Sequence, residues 1–229
     1  FNPLALAAMA PNGQGHQLNP QMLNHAINQK SGEDFLNYFY PEYACRLLRP
    51  LIDFDKTACS LIDPSGSEYF FTKNLPEATA EILFHLCELL CSFTGQHKYR
   101  IKYLVLRNLI LQNCLLLFKC REKHLQLSGL RVFRATLGVE DEFYFRFFIQ
   151  HRSFGALFQL YKESGGALRD NLVTSAVLDI FEFLRVPRDS LKTLVRHLST
   201  VYRLELESFG PASVFKGILE TEDRIDREG

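Results

Sequence analysis

Apolar residues recur at helical spacing along most of the chain from Ser31 onward. The first such stretch, "SGEDFLNYFYPEYACRLLRPLID", begins with small and acidic residues, as helices commonly do, and Pro41 is expected to split or kink it. A second stretch, "EATAEILFHLCELLCSF", has a clear amphipathic period that Gly95 ends, with Asn74 as the predicted N-cap and Pro76 in the first turn. No run shows the two-residue alternation of a strand, so the pattern predicts an all-α protein.

The helical pattern itself repeats along the chain. The segment "KYRIKYLVLRNLILQNCLLLF" (98–118) aligns with "DEFYFRFFIQHRSFGALFQLY" (141–161), and each predicts two short helices around a polar break. The segment "LSGLRVFRATL" (127–137) aligns with "TSAVLDIFEFL" (174–184), and each is the core of a longer third helix. The spacing of roughly 43 to 47 residues lies in the range of armadillo and HEAT repeats. We therefore expect an armadillo/HEAT-like, right-handed helical solenoid of about three repeats.

The same pattern sets the expected domain organisation. Two further helices, "DSLKTLVRHLSTVYRLELESF" and "ASVFKGILETEDRI", are expected to form a cap at the C-terminal end of the repeats. The helical-repeat domain then covers residues 31–223 and includes a long loop over 53–75. Residues 1–30 are polar, with several Pro and Gly residues, so a poorly ordered or linker-like segment with a short helix over 21–29 is expected there. Residues 224–229 form a C-terminal tail.

Charge and composition narrow the classes of function. Lys+Arg and Asp+Glu both number 26, so the formal net charge is zero, which argues against direct nucleic-acid binding. The longest apolar stretch, "LVLRNLILQNCLLLFKCR", is interrupted by polar residues such as Arg107 and Asn108, so no membrane-spanning helix and no membrane partner are expected. The six cysteines include no CxxC pair, which favours a reducing compartment. The start, "FNPLALAAMAPNG", lacks an initiator Met and a basic segment, so it is interpreted as a fragment boundary and not as a signal peptide.

Candidate catalytic and metal sites in the sequence have simpler interpretations. Glu140, Asp141 and Glu142 lie at a predicted helix start, where negative charge suits the helix dipole. Cys87 and Cys91 would supply only half of a zinc site, and no second pair accompanies them, so core packing is expected. The chain has no G-x-S-x-G elbow and no glycine-rich phosphate loop. We expect no catalysis, no metal and no cofactor.

An aromatic run from Phe143 to Phe148 has only Arg146 as a non-aromatic member. The helix that contains it is apolar nearly all round, so it should be buried on most sides. In a solenoid the first helix of a repeat lies between neighbouring repeats, and the aromatic run is therefore predicted to be a structural joint.

Four segments resemble a known family in their order and spacing: "DFLNYFY", "GVEDEFYFRFFI", "NLVTSAVLDIFEFLRV" and "VFKGI". The chain is similar to regulatory subunit 3 of protein phosphatase 4, the SMEK/Falafel family, from about Asp34 to Asp223. Residues 1–30 and 53–75 do not match closely. The resemblance implies a scaffold that joins the phosphatase 4 catalytic subunit to regulatory subunit 2 and brings phosphoprotein substrates to the enzyme. It also implies a location in nucleus and cytoplasm, with roles in the DNA-damage response and cell-cycle control.

Binding of a protein partner is the function that the residues favour, and the third helices are predicted to carry it because they line the concave face of a helical solenoid. Arg131 and Arg134 lie three apart on one third helix, and Asn171, Glu182 and Arg185 lie on or near the next. All five match the pattern of the family. One hypothesis is that they form a polar ladder that contacts a peptide or a partner subunit. The alternative is that the arginines pair with acids of an adjacent helix and only fix the repeat geometry.

Two other functions stay open from the sequence. The chain could be a helical-repeat adaptor of an unrelated complex, which the proteins that copurify with it would reveal. It could also be an enzyme whose active site leaves no motif, and a pocket of convergent titratable residues would indicate that.

Overall fold

The computed structural model describes residues 20–61, 69–97, 99–209 and 213–228. Over these ranges it contains helices and connecting segments but no strand, which confirms the predicted all-α class. The α-helices are α1 (Pro20–Phe39), α2 (Cys45–Leu47), α3 (Arg49–Ile52), α4 (Phe54–Leu61), α5 (Glu77–Gln96), α6 (Tyr99–Arg107), α7 (Ile110–Leu116), α8 (Lys123–Leu137), α9 (Glu142–Gln150), α10 (Ser153–Glu163), α11 (Leu172–Arg185), α12 (Lys192–Val201), α13 (Arg203–Ser208) and α14 (Ser213–Glu228). Short 3₁₀ turns cover Leu117–Lys119, Gly166–Leu168 and Asp189–Leu191.

The chain divides into two compact units, residues 1–43 and 44–229. The described part of the first unit is α1 with the beginning of a π-helical turn, Tyr40–Ala44, that contains Pro41. Pro41 has no N–H to donate to the helix, so the regular helix ends where the sequence predicts a break. The predicted boundary at residue 31 falls inside α1, and the short helix predicted over 21–29 is part of this longer one. The expectation for residues 1–19 lies outside the described residues.

The predicted loop over residues 53–75 is wrong in its first part. Helix α4 occupies Phe54–Leu61 and buries Phe54, Ala58 and Leu61, which share one helix face. Residues 62–68 lie outside the described part of the chain. The segment after them is held to the core because the Phe71 N–H donates to the Lys119 carbonyl over 2.8 Å. Pro76, not Asn74, occupies the N-cap position of α5, whose first helical residue is Glu77.

Both predicted helix–break–helix segments are present. The breaks fall at Leu109 (φ 53°) and Arg152 (φ 49°), two left-handed residues at equivalent positions of the repeat. The same backbone hydrogen bond precedes each of them, from Asn108 N–H to the Leu104 carbonyl and from His151 N–H to the Phe147 carbonyl. The left-handed backbone at each break turns the chain from the end of one helix into the start of the next.

The helices of successive repeats pack in corresponding positions. The third helices contact one another in order, with α5 against α8, α8 against α11, and α11 against α14. The first helices do the same, with α6 against α9 and α9 against α12. The stretch predicted as a single helix of the C-terminal cap is broken at Tyr202 into α12 and α13, and both pack against α14. The three-helix pattern therefore recurs at the C-terminal end, and the predicted tail from residue 224 is part of α14.

The aromatic run lies in α9 and is mostly core. Tyr144, Phe145, Phe147 and Phe148 are buried, whereas Phe143 is 57% exposed. The helix packs against α6, α8, α10 and α12, so the run is a joint between repeats, as predicted. The burial of several aromatic rings in one short helix contributes a large share of the apolar surface that stacks one repeat on the next.

Candidate functional site

A groove of about 1110 Å³ lies along the third helices α5, α8 and α11. This volume slightly exceeds that of ordinary small-molecule pockets, about 300–1,000 Å³, and suits a short stretch of extended chain. Its charged lining residues are Glu88, Lys102, Arg131, Arg134, Asp141 and Asp179. Its apolar lining includes Leu127, Leu130, Ala135, Val139 and Ala176, with the half-exposed ring of Tyr99 at the edge.

Arg131 and Arg134 both point into this groove from α8, as the sequence predicts for a third helix. The Arg131 Nη1 donates to Glu88 Oε1 of α5 over 2.6 Å, and both side chains are about half exposed. The Arg134 Nε donates to Asp179 Oδ2 of α11 over 3.2 Å. Each arginine therefore joins α8 to a neighbouring third helix, which is the alternative that the sequence leaves open. Exposed pairs of this kind contribute at most about 1 kcal/mol each, so they orient the side chains more than they stabilise the fold.

A third ion pair, between Lys102 and Asp141, also lines the groove. Lys102 of α6 donates to the Asp141 carboxylate over 2.6 Å, and both side chains are at least three-quarters buried. The Lys102 ammonium also lies 4.6 Å from the centre of the Phe143 ring. Asp141 is the N-cap of α9 and accepts the Phe143 N–H over 2.9 Å. The predicted helix-start role holds for Asp141, so the same carboxylate caps one helix and fixes it to α6.

The groove carries no net formal charge, because its three cations each pair with one of its three carboxylates. The lining is otherwise mostly apolar. Such a surface has no strong preference for a polyanion or a polycation. It suits a bound peptide segment whose apolar side chains pack against the lining and whose backbone groups form hydrogen bonds with the charged side chains of the groove.

A chain of contacts leads from the groove to the α11–α12 connection. The guanidinium carbons of Arg134 and Arg188 lie 3.8 Å and 4.1 Å from the centre of the same Phe183 ring. Arg188 Nη1 donates to Glu140 Oε1 over 2.8 Å, and the Ser190 hydroxyl donates to Glu140 Oε2 over 2.5 Å. Glu140 has a left-handed backbone (φ 56°) between α8 and α9, so it lies outside the helix start that the sequence assigns to it.

The other three predicted site residues lie outside the groove. Asn171 is the N-cap of α11 and forms a capping box with Thr174, which gives it a structural role. Arg185 pairs with Glu182 one turn away, with Nε to Oε2 at 2.8 Å. This pair lowers the pKa of Glu182 and raises that of Arg185. Of the five predicted residues, only Arg131 and Arg134 line the groove, while Asn171 lies at the start of α11 and the Glu182–Arg185 pair at its end.

Two groove residues, Lys102 and Tyr99, belong to the basic stretch "HKYRIK" (97–102). From the sequence this stretch is only a weaker binding candidate, because its composition favours a solvated helix start. Their position depends on how α6 packs against α5 and α9, and no local signal reports that. Asp179 was identifiable only as a polar residue of the following third helix.

Near the groove, Cys87 and Cys114 are buried in the core, whereas Cys91 is partly buried and lines the groove. A hydrogen bond with the Cys87 thiol, together with burial, raises the pKa of Cys114 well above its usual value. Burial raises the pKa of Cys91 to about 12. At neutral pH these thiols are protonated, and a protonated thiol is a poor nucleophile and a poor metal ligand. Among the residues that the structure describes, no three His, Cys, Asp or Glu side chains come together as metal ligands would.

None of the described helices alone has the length and apolarity needed to cross a membrane. Helix α6 and the segment Ile110–Lys119 reach those values only together, as a pair bent by 64°.

Comparison with known proteins identifies the family. The sequence model of the family "Phosphatase 4 regulatory subunit 3" matches residues 5–224. The protein named "Protein PPP4R3C1" from Mus musculus is 23% identical over 201 residues, which cover 88% of this chain and 24% of the mouse protein. The "Serine/threonine-protein phosphatase 4 regulatory subunit 3" of Drosophila melanogaster is 29% identical over 161 residues, which cover 70% of this chain and 15% of the fly protein.

The chain therefore spans about a quarter or less of the length of these relatives. No solved structure matches it significantly. The family match extends over almost the whole chain and includes every residue that lines the groove. The chain belongs to the phosphatase 4 regulatory subunit 3 family.

Proposed function

We propose that this chain is a non-catalytic scaffold of the protein phosphatase 4 holoenzyme. In this role it joins the catalytic subunit to regulatory subunit 2 and recruits phosphoprotein substrates for Ser/Thr dephosphorylation. The observation that carries the proposal is the family match over residues 5–224, together with the fly relative named as a phosphatase 4 regulatory subunit. The hydrolytic chemistry belongs to the catalytic partner. A nuclear and cytoplasmic location is part of the same proposal.

The packing of corresponding helices supports a repeat scaffold. Each third helix contacts the next, which is the arrangement that an armadillo/HEAT-like solenoid requires. Stacked repeats expose an extended surface, and such surfaces typically bind extended segments of other proteins. The α5–α8–α11 groove has the volume and the mostly apolar lining for that purpose.

We place the partner-binding surface at this groove, with Arg131 and Arg134 as its central polar contacts. Their partners Glu88 and Asp179 hold the two guanidinium groups in place but use one nitrogen of each. A guanidinium has five N–H donors, so donors remain for carbonyl groups of a bound segment. The ion pairs that fix the helices therefore also present oriented donors to a partner.

The decisive experiment is a pull-down of purified phosphatase 4 catalytic subunit by this protein, with and without regulatory subunit 2. We expect stoichiometric capture by the wild type. The double variant Arg131→Glu with Arg134→Glu should weaken capture about tenfold, the effect of about 1.4 kcal/mol at an interface. It should lower the melting temperature by a few degrees at most, because the new glutamates face Glu88 and Asp179 on a largely exposed surface, and the control variant described below should shift it similarly.

The matched control reverses the charge of two arginine side chains outside the groove, Arg146→Glu with Arg203→Glu. Each is also exposed and also paired with a glutamate, Glu142 and Glu207. Equal loss of binding in both double variants would mean that the groove has no special role. A folded wild-type protein that captures neither subunit would refute the scaffold itself.

A further inference from the structure

The connection between α11 and α12 presents an exposed serine. Val186 and Arg188 have extended backbone conformations, and Val186, Pro187 and Ser190 are exposed. Ser190 lies in the 3₁₀ turn Asp189–Leu191 just before α12. The active site of a protein kinase binds its substrate as an extended, accessible segment. The backbone that precedes Ser190 already has that form.

The charges around Ser190 are mostly basic. Arg188 lies two residues and Arg185 five residues before the serine, and Lys192 lies two residues after it. Protein kinases select their substrates in large part by such flanking charge patterns. The sequence "RVPRDSLK" therefore carries the chemistry that an arginine-directed kinase recognises.

We propose that Ser190 is a phosphorylation site for an arginine-directed protein kinase, and that its phosphate takes Arg188 away from Glu140. In the reaction the Ser190 oxygen attacks the γ-phosphorus of a nucleoside triphosphate. A new O–P bond forms, the bond from the γ-phosphorus to the bridging oxygen breaks, the nucleoside diphosphate leaves, and the hydroxyl proton passes to the kinase base.

The Ser190 hydroxyl binds the Glu140 carboxylate, whereas a phosphate on Ser190 would repel it. The Ser190 hydroxyl now donates a hydrogen bond to Glu140 over 2.5 Å. A phosphoserine has no such donor and carries about −1.5 to −2 charges at neutral pH, so it would repel the Glu140 carboxylate. Arg188, 2.8 Å from the same carboxylate, is the nearest cation of this cluster and can pair with the phosphate in two parallel hydrogen bonds.

A phosphate on Ser190 would also affect the groove, because the Phe183 ring lies between the phosphorylation site and Arg134 in the chain of contacts. Arg188 and Arg134 both lie over this ring, and Arg134 lines the groove. When Arg188 moves toward a phosphate, the Phe183 ring loses one of the two guanidinium groups that pack on it, and the ring that supports Arg134 is free to shift. The modification would thus change partner affinity at the groove. This last consequence rests on the proposed function, whereas the phosphorylation site does not.

The first test is to incubate the protein with an arginine-directed kinase and Mg·ATP and to map phosphate by mass spectrometry. We expect incorporation at Ser190, none there in Ser190→Ala, and slower incorporation in Arg188→Ala. Ser175 is an internal control, since it is also exposed but has no arginine within the five residues before it. Absence of phosphate on Ser190 in the folded wild type would overturn the inference, whatever the phosphatase pull-down shows.

The second test separates the charge effect from loss of the hydroxyl. Ser190→Glu should lower the melting temperature by about 2–4 °C, because a carboxylate then faces Glu140. Ser190→Ala should stay nearer to the wild type. Adding Glu140→Gln to Ser190→Glu should restore most of the loss. Identical melting of the Ser190→Glu and Ser190→Ala variants would refute the repulsion at Glu140.

Discussion

Gly129, in the middle of α8, lies where α8 passes close to the backbone of α7. A Cβ atom built there would lie 2.8 Å from the Cys114 carbonyl oxygen and 3.0 Å from Cε1 of Phe118. Both neighbours are almost fully buried, at 2% and 0% exposure. A backbone oxygen cannot turn away as a side chain can. The substitution Gly129→Ala should therefore push α8 away from α7 and the following 3₁₀ turn.

The expected magnitude is the difference between two opposing effects. Overpacking of a well-packed core destabilises by about 1–3 kcal/mol. Alanine in a helix interior is favoured over glycine by about 1 kcal/mol, which offsets part of this. The net free energy of unfolding should fall by up to about 2 kcal/mol relative to the wild type, and by about 1–3 kcal/mol relative to a glycine-to-alanine change at an uncrowded helical position. For a chain of this size each kcal/mol lowers the melting temperature by about 2–4 °C.

Thermal and urea unfolding followed by circular dichroism would measure this change. The matched control is Gly95→Ala in α5, where an added Cβ would meet no heavy atom within 4 Å. That variant should be as stable as the wild type or slightly more stable. If Gly129→Ala melts together with Gly95→Ala, the close approach of α8 to the Cys114 carbonyl does not limit packing, and the reasoning is wrong.

Two further predictions concern titratable side chains. Thiol labelling of the native protein should modify Cys45 and Cys59 rapidly, because both are exposed. The remaining cysteines should react mainly after unfolding. Two rapidly labelled thiols per chain would support this prediction, and four or more would contradict it. Burial lowers the pKa of His197, so the folded state favours its neutral form and loses stability as pH falls below about 6.5. His197→Gln should flatten this part of the pH dependence in urea unfolding, and an unchanged slope would contradict it.

Local signals in the sequence predicted the helices and most of their breaks. Apolar residues spaced three and four positions apart identify a helix, because this spacing depends only on residues that are close in the sequence. The breaks near Leu109 and Arg152 were visible for the same reason. Helix α4 was missed although Phe54, Ala58 and Leu61 have helical spacing, because the helix is short and lies beside strong turn residues.

The break at Tyr202 had no such signal. No Pro or Gly marks it, and the chain reads as one amphipathic helix. In the structure the Tyr202 ring is buried, with its centre 5.4 Å from that of Phe158 in α10. The packing of this ring accompanies a bend that divides α12 from α13, so a tertiary contact decides the element boundary.

The sequence by itself determined the helical class, the repeat and the presence of two arginines on one third helix, since these follow from local spacing and from similarity between segments. Only the tertiary structure decided which acids those arginines meet. Glu88 lies 43 residues from Arg131, and Asp179 lies 45 residues from Arg134. The mostly buried pair of Lys102 with Asp141 spans 39 residues. These pairs form only after neighbouring repeats have stacked in register, because burial of the apolar helix faces, rather than the weak attraction of exposed charges, sets that register.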